Sequence, residues 1–167
     1  LIFVTQEEPV SEGALANFPE VLTPGQELVG ANEFEFEMNW KLFAEAGMEG
    51  YHIKVGHPKS FYPYGFDNLN VIEPFGPNCR VTFPFRRIEK LRDVPREERK
   101  VAGKLTYAYQ LFPNVLMAKL SRHTAVQFAE PRTPNRTKYI RYFISNDPIE
   151  GDEEKRALVQ KDIDYVS

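Results

Sequence analysis

The sequence predicts an α+β fold, a curved antiparallel sheet packed by helices, and three observations carry this. Strand-like runs follow one another through the second half of the chain with only short turns between them. Short turns imply antiparallel pairing, because parallel neighbours need long crossovers. Helical patterns are confined to one stretch before those runs and one after them, the segregated arrangement of an α+β domain. The composition is also that of a packed domain: 42% hydrophobic and 27% charged over 167 residues, with 13 Phe and 8 Tyr to line a core or pocket.

Taken in order, residues 1–4 read as a short buried strand, and residues 5–30 as a polar connection broken by Pro9, Gly13, Pro19, Pro24 and Gly25. Residues 31–38 alternate, Glu33, Glu35 and Glu37 on one side and Phe34, Phe36 and Met38 on the other, the period of a half-buried strand. Asn39 is placed to cap a helix over residues 40–49, about three turns long and weakened by Gly47. Residues 58–78 are rich in Pro, Gly and aromatics and read as an ordered loop region. Residues 79–88 alternate again, and Pro84 suggests an edge position. Residues 89–102 are charged and read as a short exposed helix, with Pro95 in its first turn. Strands follow over residues 104–112, 115–120, 124–129 and 137–144, with turns at Pro113-Asn114 and over residues 131–136. Asp152 can cap a last helix over residues 153–167, whose Val159, Ile163 and Val166 form one apolar stripe.

A formal charge of −3 argues against a general nucleic-acid or membrane-surface binder, since both need a basic patch. No apolar run approaches the ~20 residues that cross a bilayer, and no signal peptide is visible. The single cysteine, Cys79, excludes an internal disulfide and reads as a buried structural thiol in a reducing, cytoplasmic setting. The chain opens on Leu1 inside an apolar run and ends at Ser167 without a helix stop signal, so a longer natural protein is expected.

The segment with chemical content is residues 39–58. It holds two of the three histidines, His52 and His57, and places Glu45, Glu49 and His52 at i, i+4 and i+7, one face of a regular helix. A carboxylate beside an imidazole orients it and raises its basicity. His52 and His57 are five apart, so on a regular helix they would diverge by about 140°. They can share a metal only where the helix ends or bulges, which Gly50 and Gly56 permit. Two imidazoles and a carboxylate on one octahedral face suit ferrous iron and leave positions open. Spacing alone equally allows two polar residues at a helix end, a solvated Glu45/Glu49 face, and Trp40, Phe43 and Tyr51 as core.

The string Asn39-Trp40-Lys41 … Glu49-Gly50-Tyr51-His52 … His57-Pro58 resembles the signature that opens the catalytic domain of Rieske non-haem iron oxygenase alpha subunits. Tyr109-Gln110-Leu111-Phe112-Pro113-Asn114 and the 131–137 turn are similar to that family's later part, so the likeness runs over nearly the whole chain. Ala46 and Gly47 depart from the Asn and aromatic usual there. The resemblance implies a helix-grip fold with a hydrophobic cavity above a mononuclear Fe(II). It makes His52 and His57 iron ligands, Glu49 the acidic link to a neighbouring subunit's Rieske cluster, and Tyr51, with Glu45, supporting residues near the iron. The third, carboxylate ligand is expected beyond Ser167; Asp162 and Asp164 are the late candidates present, neither favoured.

On this reading residues 1–167 are a single partial catalytic domain, and the Rieske domain with its 2Fe-2S cluster, which one cysteine cannot supply, is expected upstream. The intact protein is expected to hydroxylate or demethylate a small organic, aromatic substrate with O2. Electrons come from NAD(P)H through a reductase or ferredoxin, and the assembly is a trimer. The isolated fragment is expected to be inactive. A metal-free helix-grip carrier of an apolar ligand, or a degenerate gene product, are the other readings. His123, without a motif around it, reads as a surface residue at a turn. Arg86, Arg87, Arg132 and Arg136 read as solvated charge, with attraction of an anionic substrate or an electron donor as the second possibility.

Overall fold

A computed structural model describes residues 17–166. The strand expected at residues 1–4 lies outside the described residues. One antiparallel sheet contains β1 (Leu28–Phe36), β2 (Val71–Phe75), β3 (Asn78–Pro84), β4 (Leu105–Leu111), β5 (Val115–Lys119), β6 (His123–Thr133) and β7 (Arg136–Ser145). Their order is β1-β7-β6-β5-β4-β3-β2. Strands β2 to β7 are a meander, each paired with the next, and β1 joins the far edge beside β7. Helices α1 (Trp40–Gly47) and α2 (Tyr51–Gly56) lie between β1 and β2 in sequence, and α3 (Glu153–Val166) follows β7. This is the α+β antiparallel sheet with few helices that the sequence predicts.

Cross-strand partners share a face of the sheet. The row Val81, Ala108, Ala118, Ala125, Phe143 therefore marks one face, with Leu116, Gln127 and Arg141 in the adjacent row. All three helices cover that face. Ile53 of α2 packs with Val81, Phe83 and Ala108, and Val159 and Ile163 of α3 pack with Phe143 and Ile149. The opposite face carries Tyr109, Leu111, Val115, Met117 and Val126, covered by Phe18 and Val21. Each fully buried aliphatic or aromatic side chain contributes about 1.5–3 kcal/mol, so the core lies on both faces of the central strands.

Several expectations are corrected. Strand β1 starts three residues earlier than predicted and ends at Phe36. Its alternation holds: Glu33 and Glu35 turn outward to Lys138 and Arg136, while Phe34 stacks on Tyr139. The loop expected over residues 58–78 hides β2, a five-residue strand interrupted by Pro74, which periodicity is too short to reveal. Strand β3 is interior, paired on both sides, and β2 is the edge. Pro84 instead ends β3, and the chain turns into a 3-10 helix at Arg86–Leu91. A second 3-10 turn, Arg96–Glu98, follows Pro95, so the charged stretch forms short turns rather than one helix. Strand β6 continues to Thr133, narrowing the predicted 131–136 turn to Pro134 and Asn135. Asn39 caps α1 as predicted, its side chain accepting from the Lys41 amide at 3.0 Å. Asp152 accepts from the Lys155 amide at 2.9 Å, inside the first turn of α3.

His123 is not at the surface. It opens β6 beneath α3, is 0% exposed, and its Nδ1 lies 2.9 Å from Asp162 Oδ2. A strand start flanked by Arg122 and Thr124 looks like a turn in sequence; Asp162, on the helix that covers it, lies 39 residues later.

Candidate metal centre and substrate cavity

The expected three-turn helix is two helices. Helix α1 stops at Gly47, and α2 begins after Gly50. Both glycines are closely approached, Gly47 by a movable leucine side chain and Gly50 by backbone. A Cβ on Gly47 would lie 2.6 Å from Leu116 Cδ2, and one on Gly50 would lie 2.8 Å from the backbone carbonyl oxygen of Asp67. Gly47 lets α1 settle against β5, and Gly50 lets the start of α2 touch the following loop. The face predicted for Glu45, Glu49 and His52 at helical spacing is therefore not continuous. Glu45 is exposed on α1, while Glu49 lies in the break.

From that break Glu49 reaches forward. Its carboxylate accepts from the Tyr51 amide and from the His52 amide at 3.1 Å, satisfying free donors of the first turn of α2. The same carboxylate lies 2.9 Å from His52 Nδ1. With Nδ1 donating to Glu49, the His52 Nε2 is the lone-pair nitrogen available to a metal.

Helix α2 ends where the second histidine begins. The His57 amide makes the last helical bond, to Ile53 at 3.0 Å, and His57 then leaves helical torsion at φ −126°, ψ 47°. That departure cancels the divergence of a five-residue spacing and brings the two imidazoles to 5.5 Å between ring centres, at 75°. Phe61 packs edge-on against His57 at 5.2 Å. Burial first, and the neighbouring His52 second, hold the His57 imidazole below its usual pKa, which favours the neutral form that ligates metals.

Both histidines line a cavity of about 320 Å³ between α1, α2 and the sheet. Phe43, Phe83, Leu116 and Ala118 make its apolar wall, and Arg141 enters from β7. A second cavity of about 350 Å³, bounded by Arg86, Asp162 and Tyr165, shares Phe61, Phe85 and Leu120 with it. The histidine cavity is the more apolar of the two.

The Tyr51 ring is 77% exposed and does not line the cavity. Asp162 accepts from the Arg122 amide at 3.0 Å as well as pairing with His123, and Asp164 accepts from Gln160 at 2.8 Å. The last turn of α3 nonetheless approaches the chain just after His57, where the Tyr165 hydroxyl donates to Lys59 O at 3.3 Å. Among the described residues no third carboxylate, cysteine or histidine joins His52 and His57 in a metal-binding group. The two imidazoles, one neutral and one oriented by a carboxylate, fit two positions of a ferrous site. Cys79 is half-buried, near Gln110, and burial pushes its thiol pKa up. Arg86 and Arg87 are exposed and lie over Tyr62, Phe66 and Phe85, and Arg132 and Arg136 pair with Glu130 and Glu35. Arg141 carries no motif in the sequence that marks it as a site residue. Alternation in residues 137–144 was the available signal for Arg141, since it falls in phase with Tyr139 and Phe143.

Comparison with known proteins bears on the family and the fold. The family model described as ring hydroxylating alpha subunit, catalytic domain, matches residues 26–162. No curated protein sequence matches the chain significantly. Among solved structures, the quaternary ammonium Rieske monooxygenase CntA with an inhibitor superposes with a TM-score of 0.58 at 14% identity, over 81% of this chain and 34% of that one. Naphthalene 1,2-dioxygenase with indole bound gives 0.55 at 18% identity, over 81% and 37%. The terminal oxygenase of carbazole 1,9a-dioxygenase from Nocardioides aromaticivorans IC177 gives 0.53 at 16% identity, over 93% and 48%. The chain thus spans a third to a half of these structures, whose likeness at such identities is one of fold. With 137 consecutive residues matched by the family model, this chain belongs to the ring-hydroxylating alpha-subunit catalytic domains of the Rieske oxygenases.

Proposed function

We propose that the chain is the mononuclear-iron part of an oxygenase that hydroxylates or demethylates a small organic substrate with O2. The observation that carries this is the pair of imidazoles held 5.5 Å apart on the wall of an apolar cavity, one of them oriented by Glu49. His52 and His57 would hold ferrous iron, with a carboxylate as third donor. Iron bound there supplies the one-electron chemistry that dioxygen activation needs.

The residues do the rest. Phe43, Phe61 and Phe83 exclude water and hold the apolar substrate body against the histidine side of the cavity. Glu49 keeps His52 in one tautomer. With its side chain 39% exposed, it can also accept a hydrogen bond from a partner subunit's cluster ligand and so couple the two centres. The intact protein would carry a Rieske domain with a 2Fe-2S cluster and take electrons from NAD(P)H through a reductase or ferredoxin. It would act in the cytoplasm as a trimer, the assembly that lets a cluster meet its neighbour's iron. Tyr51 and Glu45, both exposed, would support the site from the subunit boundary. No helix among the described residues is long and apolar enough to cross a membrane.

The test is iron content of the full-length protein prepared anaerobically, beside the His52→Ala/His57→Ala double variant. The expected result is one iron fewer per chain in the variant with an unchanged cluster signal. Equal iron in both would make the histidines structural and favour a carrier of apolar ligands.

A further inference from the structure

We propose that Arg141 selects the substrate: the cavity beside His52 and His57 takes a small organic acid, whose carboxylate pairs with the Arg141 guanidinium while its apolar body lies against the cavity wall. This rests on the oxygenase reading and narrows its substrate class.

Arg141 stands on an interior strand, on the face of the sheet that the helices cover, and borders the same cavity as the two histidines. Its position is fixed from three sides. Nε donates to Gln127 Oε1 at 2.8 Å, and the guanidinium lies 4.8 Å over the Phe34 ring and 5.9 Å from that of Phe143. Gln127 is itself only 5% exposed, so the neutral amide that holds Arg141 is built into the core.

What the position lacks, among the described residues, is a counter-charge. Arg80 is matched by Glu73, Arg132 by Glu130, Arg136 by Glu35 and Arg156 by Glu27. Among the described residues no carboxylate forms an ion pair with Arg141, and burial alone accounts for the lowering of its pKa. A guanidinium taken out of water without an anion is costly, and its fork of N–H donors matches a carboxylate bidentately. Gln127 occupies Nε, and among the described residues no hydrogen bond takes up the terminal Nη groups, which are then available to a ligand. A neutral apolar substrate would leave those donors unpaired in an otherwise apolar cavity; an acid satisfies them and supplies the missing charge. The volume of about 320 Å³ is at the small end for organic ligands, suited to a body of one ring or a short chain.

The test is equilibrium binding, without turnover, to the full-length anaerobic protein by titration calorimetry. The probes are benzoate, phenylacetate, 3-phenylpropanoate and hexanoate, each beside its neutral amide. The best acid should bind at least tenfold more tightly than its amide. Arg141→Met, which keeps the stem between Phe34 and Phe143, should abolish that preference, and Arg141→Lys should keep part of it. Amides binding as well as acids, no acid binding at all, or a preference that survives in Arg141→Met would each overturn the assignment. The wild-type comparison needs no variant, so poor folding of Arg141→Met leaves the test intact. Iron content on the same samples separates the two readings. Histidine-dependent iron without acid preference removes only the role of Arg141. Acid preference without histidine-dependent iron removes the oxygenase reading and leaves an organic-acid site.

Discussion

Gly50→Ala should destabilise the protein and loosen the histidine site, while Gly56→Ala, six residues away, should do neither. The backbone at Gly50, φ −97° and ψ −18°, is right-handed and open to alanine, so the effect comes from contact alone. The added Cβ would meet Asp67 O at 2.8 Å and Asp67 C at 3.2 Å, backbone atoms that cannot rotate aside. Overpacking of this kind costs about 1–3 kcal/mol, against which reduced unfolded-state entropy returns about 0.4–1 kcal/mol. The net loss, up to about 2.6 kcal/mol, corresponds to a Tm lower by up to roughly 5–10 °C at this size. Relief requires α2 to back away from Asp67, carrying His52 with it, so iron content should fall too. At Gly56 the nearest atom to an added Cβ is His52 Cδ2 at 3.9 Å, an ordinary contact, and alanine gains about 0.5–1 kcal/mol in a helix. Thermal unfolding and iron analysis of the three proteins in parallel decide the matter. A Gly50→Ala protein as stable as wild type, or equal losses at both glycines, would refute the reasoning.

Glu49→Gln should keep the iron and the fold but lose electron delivery to it, read by single-turnover reduction; normal turnover would remove Glu49 from the mechanism. Glu49→Ala should in addition lose about 0.5–2 kcal/mol of stability by uncapping α2, measured by denaturant midpoint. Asp162→Ala strands the buried His123 Nδ1 and the Arg122 amide, and should cost about 1–3 kcal/mol, visible as a lower Tm, whereas His123 at the surface would predict no change. Because burial raises the Cys79 pKa, less thiolate is present near neutral pH in the folded state than in the unfolded one. Alkylation should therefore be slow at pH 7–8, quicken as pH rises, and become fast in denaturant; equal rates folded and unfolded would contradict the placement.

What was legible before the structure was whatever depends on neighbours in sequence. The alternation at residues 33–36, the Asn39 cap, the meander from residue 104 and the Val159/Ile163 stripe follow from period and local hydrogen bonding, and the structure keeps them. The histidine pair was legible as a motif, and so was its geometric condition, that the helix must end between the two. The edge assignment of β3 failed because Pro84 speaks of a missing donor, not of which strand lies alongside. The β2 strand failed because five residues with a proline carry no usable period.

An α+β antiparallel sheet, the family, and two histidines with a carboxylate close by can be read along the chain, because they are written in local spacing and in a contiguous string. Folding in three dimensions sets Gly50 against the Asp67 carbonyl, buries His123 under Asp162, and puts Arg141 in the cavity wall with no carboxylate partner among the described residues. Each of those depends on atoms from segments distant in the chain. Burial and charge pairing are set by what packs opposite a residue, and no window along the sequence contains both partners.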